Sequence, residues 1–117
     1  MARISTHVLD TAHGRPAAAM RIGLYVWRDG ERHPIHTAIT NAEGRTAEPL
    51  LAGDHLETGE YELAFNVADY FRGVGVVLTS PPFLDQVVVR FGVSDAHGDY
   101  HVPLLVSPYG YSTYRGS

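Results

Sequence analysis

Apolar and polar residues alternate with a period of two along much of the chain. In Met20–Arg28, Ile22, Leu24 and Val26 share one face, and Arg21, Tyr25 and Trp27 take the other. Successive side chains of an extended strand point to opposite sides, so this spacing predicts a strand with one buried face. Glu60–Val67 repeats the pattern with Tyr61, Leu63, Phe65 and Val67, and Gln86–Val93 with Val87, Val89, Phe91 and Val93. Tyr100–Ser107 reads as a further apolar strand, and Ile4–Leu9 and Pro34–Thr40 as shorter ones. Asp10–Pro16, Asp29-Gly30 and Asn41–Gly44 carry turn chemistry between them.

Two places depart from this rhythm. Ala68-Asp69-Tyr70-Phe71-Arg72 lacks alternation and predicts one short helix, which needs packing because it is too short to stand alone. Pro103 sits inside the apolar Tyr100–Ser107 run. Proline has no ladder donor, so it argues for a sheet edge there, and an apolar edge invites pairing with another chain. The expected class is all-β: a sandwich of about seven or eight strands with one short helix.

Composition narrows the chemistry. At 117 residues the chain is expected to form a single domain over residues 1–117. It has no cysteine, which excludes a disulfide scaffold, a Cys-ligated zinc site and a thiol nucleophile. It has no lysine, which excludes a P-loop and a Schiff base. A net charge of −4 with dispersed arginines is unsuited to nucleic acid. No run approaches the roughly 20 apolar residues of a membrane span. The opening Met1–His7 has no apolar stretch of the kind a secretory signal needs, so a cytoplasmic location is expected.

Seven histidines remain to be sorted. His13, His55 and His97 lie in turns or loops and read as solvated. His33 and His36 flank Pro34-Ile35, but no second pair has ligand spacing, so no metal site is expected. His7 and His101 differ, because each interrupts a strand-like apolar run. Either could be a half-buried structural histidine. Taken alone, that reading outweighs catalysis, although an imidazole is the natural general base near neutral pH, since its unperturbed value is about 6.5. Arg45 follows the Asn41–Gly44 turn, as a solvated charge or as a planar clamp for a carbonyl oxygen.

These residues carry a resemblance. Ser5-Thr6-His7-Val8-Leu9-Asp10 with Gly14-Arg15-Pro16-Ala17 resembles the opening signature of the 5-hydroxyisourate hydrolases, the transthyretin-related enzymes of purine breakdown. Asn41-Ala42-Glu43-Gly44-Arg45-Thr46 resembles their arginine-bearing turn. Tyr100-His101-Val102-Pro103-Leu104-Leu105 resembles their second histidine motif, and Tyr114-Arg115-Gly116-Ser117 their C-terminal tetrapeptide. The four motifs occur in the right order from Ser5 to Ser117. Two positions depart from the pattern. Ser80-Pro81-Pro82-Phe83-Leu84-Asp85 stands where a Phe-Phe-Pro type element is expected, and Asp99 where many relatives carry a histidine.

The resemblance implies a transthyretin-like sandwich and hydrolysis of 5-hydroxyisourate to 2-oxo-4-hydroxy-4-carboxy-5-ureidoimidazoline. It implies His7 and His101 as the acid/base pair, Arg45 as the clamp on the developing oxyanion, and Ser117 as a hydroxyl that positions substrate or water. Tyr114, Arg115 and Gly116 would hold the terminus in the site. No cofactor is required. A homotetramer, a dimer of dimers with sites between subunits, is also implied. The competing expectation is a transthyretin-like carrier of small ligands without catalysis.

Overall fold

The computed structural model describes residues 2–117. In chain order the elements are β1 (Arg3–Ser5), β2 (Val8–Asp10), β3 (Arg15–Pro16), β4 (Arg21–Arg28), β5 (Glu31–Ile39), β6 (Leu51–Ala52), β7 (Gly59–Asn66), α1 (Val67–Gly73), β8 (Gln86–Val93), β9 (Asp99–His101), β10 (Leu104–Ser107) and β11 (Gly110–Thr113). One layer is the antiparallel sheet β5-β4-β7-β8. The other is made of two short sheets, β6-β1-β9 and β11-β10-β2-β3. They are continuous, because β1 runs into β2 through Thr6-His7 and β9 into β10 through Val102-Pro103. If each interrupted pair counts as one strand and the two-residue β3 as turn pairing, eight strands remain, within the expected range.

The period-two faces meet between the layers. Ile22 and Leu24 of β4, Leu63 and Phe65 of β7 and Val87 of β8 pack in one core with Ile4, Val8, Leu104 and Val106. Burying such side chains is worth about 1.5–3 kcal/mol each, which is the main force holding the layers together. Asp29 and Gly30, both at positive φ, make the tight turn that joins β4 to β5, and Arg28 pairs with Glu31 across it. That turn lets β5 begin at Glu31, three residues before the expected strand. The predicted helix forms as α1, with Val67, Ala68, Tyr70 and Phe71 buried. Its first N–H groups, those of Val67 and Ala68, donate to the Asp85 carbonyl at 3.1 and 3.0 Å. None of the helices among the described residues is long and apolar enough to cross a membrane.

One expectation is corrected. Pro103 does not mark a sheet edge: β10 lies between β11 and β2. The proline falls at the break before β10, where its missing N–H leaves no gap. The Val102 N–H donates to the Ser5 carbonyl at 2.8 Å and the Leu104 N–H to the His7 carbonyl at 2.9 Å, one bond on each side of it. The buried Thr6 hydroxyl adds a bond to the Val102 carbonyl at 2.7 Å.

His13 is an exposed turn residue, as its sequence context predicts, and its ring is also held in place. Its Nδ1 lies 2.6 Å from Oδ2 of Asp10, and its backbone N–H donates to Oδ1 at 3.0 Å. The Tyr70 hydroxyl donates to the same Oδ2 at 2.7 Å. Asp10 is buried, so this cluster ties the turn after β2 to α1. Burial pushes the Asp10 carboxyl up, but the bonds from Tyr70 and His13 outweigh it and hold it below the ordinary value. Burial and the Asp10 carboxylate push the Tyr70 hydroxyl up to about 12.

Candidate active site

The site lies on the face of the interrupted layer that points away from the core. Along β1 and β2, Ile4, Thr6, Val8 and Asp10 are buried, so Ser5 and His7 share the opposite face. Strand β1 pairs in parallel with β9, with Ser5 opposite His101. The pairing puts Ser5 Oγ 2.9 Å from His101 Nδ1.

The terminal segment returns to the same ring. The Gly116 N–H donates to the His101 carbonyl at 2.8 Å. A Cβ on Gly116 would stand 2.5 Å from His101 Cδ2, so only glycine fits against the ring edge. Ser117 is thereby carried to the His101 side of the layer.

Arg45 is placed by the preceding turn. The Asn41 side-chain oxygen accepts the N–H groups of Glu43 and Arg45 at 2.9 and 3.2 Å, and the Gly44 N–H donates to the Asn41 carbonyl at 2.9 Å. Gly44 has φ +75°, and a Cβ there would meet the Val8 carbonyl oxygen at 2.3 Å. The turn therefore presses directly on β2, where the Val8 N–H donates to the Gly44 carbonyl at 2.8 Å. His7 and Arg45 then form an isolated antiparallel bridge. His7 Nε2 lies 2.9 Å from the Glu43 carbonyl oxygen. A carbonyl only accepts, so this contact places a proton on Nε2 of His7.

The result is an open recess of about 330 Å³ with Ser5, Arg45, His101 and Ser117 in its wall, together with Arg3 and Asp99. Of the sequence-predicted residues, Arg45, His101 and Ser117 line it. His7 abuts it through its bridge to Arg45 but is not part of the wall. Gly116 contacts His101 directly. Tyr114 and Arg115 face a separate, more apolar recess beside Phe91, Tyr100 and Val102. There the Arg115 guanidinium sits 4.3 Å over the Tyr100 ring and donates to the Asp99 carbonyl at 3.3 Å. Arg115 thus anchors the terminal segment from outside the recess.

Ser5, Arg3 and Asp99 were not singled out as site residues from the sequence. Ser5 was within reach, because it lies two residues before His7 and so shares its face. Arg3 and Asp99 sit opposite each other in β1 and β9 and form an exposed ion pair at 3.3 Å. Only the strand pairing brings them to the recess.

Burial, then the Arg45 guanidinium, His7 and Arg3, hold the His101 imidazole below its ordinary value of 6.5, against the opposing pull of Asp99. Near neutral pH His101 is therefore uncharged and has a lone pair to offer. It stands with a permanently charged guanidinium and a hydroxyl around one recess. That set suits proton transfer to or from water at a carbonyl whose oxygen gains negative charge. Among the described residues no cluster of three or more His, Cys, Asp or Glu side chains could hold a metal ion.

Residues 4–116 match the family model described as HIUase/Transthyretin family. The chain is 56% identical to 5-hydroxyisourate hydrolase 2 of Rhizobium meliloti, over 98% of this chain and 96% of that protein. The solved structure of Klebsiella pneumoniae 5-hydroxyisourate hydrolase is 32% identical and covers 100% of both chains, with a TM-score of 0.80. A crystal structure of (S)-allantoin synthase has a TM-score of 0.92 at 42% identity. It covers 98% of this chain, which spans 43% of that longer one.

Proposed function

The chain belongs to the HIUase/Transthyretin family, and from that premise we propose that it is a 5-hydroxyisourate hydrolase. Water adds to a ring carbonyl of 5-hydroxyisourate, the adjacent C–N bond opens, and 2-oxo-4-hydroxy-4-carboxy-5-ureidoimidazoline leaves. Neutral His101 takes a proton from the attacking water. The Arg45 guanidinium faces the carbonyl oxygen as it becomes an oxyanion; a preorganised donor of this kind is typically worth about 3–4 kcal/mol of barrier. The tetrahedral adduct then collapses: the C–N bond breaks, and the leaving nitrogen takes the proton that His101 acquired. His7 orients Arg45 and its turn, and serves as the second acid/base group. Ser117 positions substrate or water, with Gly116 and Arg115 holding it there and Tyr114 beside them.

The observation that carries this reading is the meeting of His101, Arg45 and Ser117, from three distant parts of the chain, in one recess. A carrier on the same sandwich needs neither an uncharged base nor a guanidinium facing it. The proposal extends to a single domain acting in the cytoplasm as a homotetramer. Supporting the assembly, the site lies on an outer sheet face, and the edge strands β8 and β11 expose Val88 and Tyr111. The direct test is to add the protein to freshly generated 5-hydroxyisourate and follow its ultraviolet absorbance. Faster decay than the spontaneous reaction is expected; decay at the spontaneous rate would favour the carrier.

A further inference from the structure

The His101 ring is gripped along two of its edges. Nδ1 lies 2.9 Å from the Ser5 hydroxyl, and Cδ2 lies against Gly116 so closely that no Cβ fits. The remaining nitrogen, Nε2, has no protein hydrogen-bond partner among the described residues, and His101 and Ser5 both form part of the recess wall. Ser5 is not loosely placed. It is the register partner of His101 in the β1–β9 pairing, and its carbonyl accepts the Val102 N–H at 2.8 Å.

We propose that Ser5 is a positioning residue for the hydrolysis, accepting the Nδ1–H of His101 so that the Nε2 lone pair is the one offered to water. The inference rests on the hydrolase reading given above. The proton balance supports the direction of the bond. When Nε2 takes a proton from water the ring becomes an imidazolium, and both nitrogens are then donors. Nδ1–H must keep an acceptor through that step, and the Ser5 oxygen is the atom within reach. Before the step, the same bond keeps the proton on Nδ1 and leaves Nε2 free.

The choice of a hydroxyl has a consequence. A carboxylate in this place would also accept from Nδ1, but its charge would stabilise the imidazolium and raise the basicity of the ring. Ser5 orients without adding charge. The groups that do face His101 are Arg45 from the turn after β5, His7 from the break between β1 and β2, Arg3 from β1 and Asp99 from β9. Three of these work against protonation and Asp99 favours it. Ser5 therefore sets which nitrogen works, and its charged neighbours set when it is free.

The test compares Ser5→Ala with Ser5→Thr, which keeps a hydroxyl on a strand-compatible side chain. Steady-state kinetics, the pH profile of kcat and the histidine nitrogen-15 NMR shifts are read on both variants and the parent. Ser5→Ala is expected to lose about 10- to 100-fold in kcat with KM little changed. Its His101 is expected to move from an Nδ1–H to an Nε2–H tautomer, and Ser5→Thr to restore both. Three results would overturn the proposal: unchanged kcat in Ser5→Ala, an equal kcat loss in both variants, or a His101 tautomer that does not respond to either. A parent protein that fails to accelerate 5-hydroxyisourate decay would count against the hydrolase reading alone, because the tautomer comparison is made without substrate.

Discussion

Gly116 and His101 meet twice, once through a backbone bond of 2.8 Å and once through the bare Gly116 Cα packed against the ring edge. Any side chain at position 116 must push the ring away from its place beside Ser5. Gly116→Ala is expected to lower kcat by about 100-fold, the usual cost of misplacing a reacting group by an ångström. Removing Tyr114–Ser117 is expected to abolish turnover. Neither change touches β11, which ends at Thr113, so both proteins should stay folded and sediment as the parent does. Parent-level activity in either one would contradict the role given to the terminal segment.

The pH dependence follows from the state of His101. Its folded value lies below the ordinary 6.5, with burial as the largest cause. As the pH falls, protonation removes the lone pair, so kcat should decline along an acid limb with its midpoint below 6.5. Neutralising Arg45 by Arg45→Gln removes a cation that opposes protonation. The midpoint in that variant should rise, alongside a large loss of rate. A limb centred above 6.5 in the parent would contradict the assignment of His101 as the base.

Gly44 is a stability prediction as well as a site prediction. Alanine there would hold a non-glycine residue at φ +75° and drive its Cβ against the Val8 carbonyl. Strain of this kind costs about 2–3 kcal/mol. For a domain of this size that is a fall of about 10 °C in Tm. Differential scanning calorimetry gives the answer, and a Tm within about 2 °C of the parent would show that the turn can move off β2.

Tyr70→Phe removes the hydroxyl that donates to buried Asp10. The loss should be about 1–2 kcal/mol. The pH effect has a definite direction. Asp10 has a folded value held below its ordinary 3.8, so its contribution is present above that value and is lost as the pH falls through the folded one. Without Tyr70 the folded value rises. Acid unfolding, followed by circular dichroism, should then have its midpoint at a higher pH. An unchanged midpoint would mean that His13 alone holds the carboxylate.

The sequence by itself determined β4, β7 and β8 of the larger sheet, because each had an apolar face to bury. Ile22, Leu24 and Val26 of β4 and Val87, Val89 and Val93 of β8 are on the core side as their spacing requires. It determined the helix after β7 by the loss of alternation. Its missing lysine and cysteine also removed amine and thiol chemistry, leaving imidazole, guanidinium, carboxylate and hydroxyl as the groups available. Tertiary structure decided what depends on contacts between distant segments. Proline chemistry pointed to an edge at Pro103, yet β11 and β2 flank the strand that follows it, and the backbone bonds of Val102 and Leu104 carry the ladder past it. Turn composition placed His13 at the surface, where it is, but not its bond to buried Asp10, which the Tyr70 hydroxyl also meets from α1. Ser5 belongs to the opening signature, but nothing in the sequence sets it apart as a partner of His101. It matters because the parallel β1–β9 register, between residues 96 positions apart, brings it to 2.9 Å from His101. Local periodicity sets which face a side chain takes, and pairing across the sheet sets which partner it meets there.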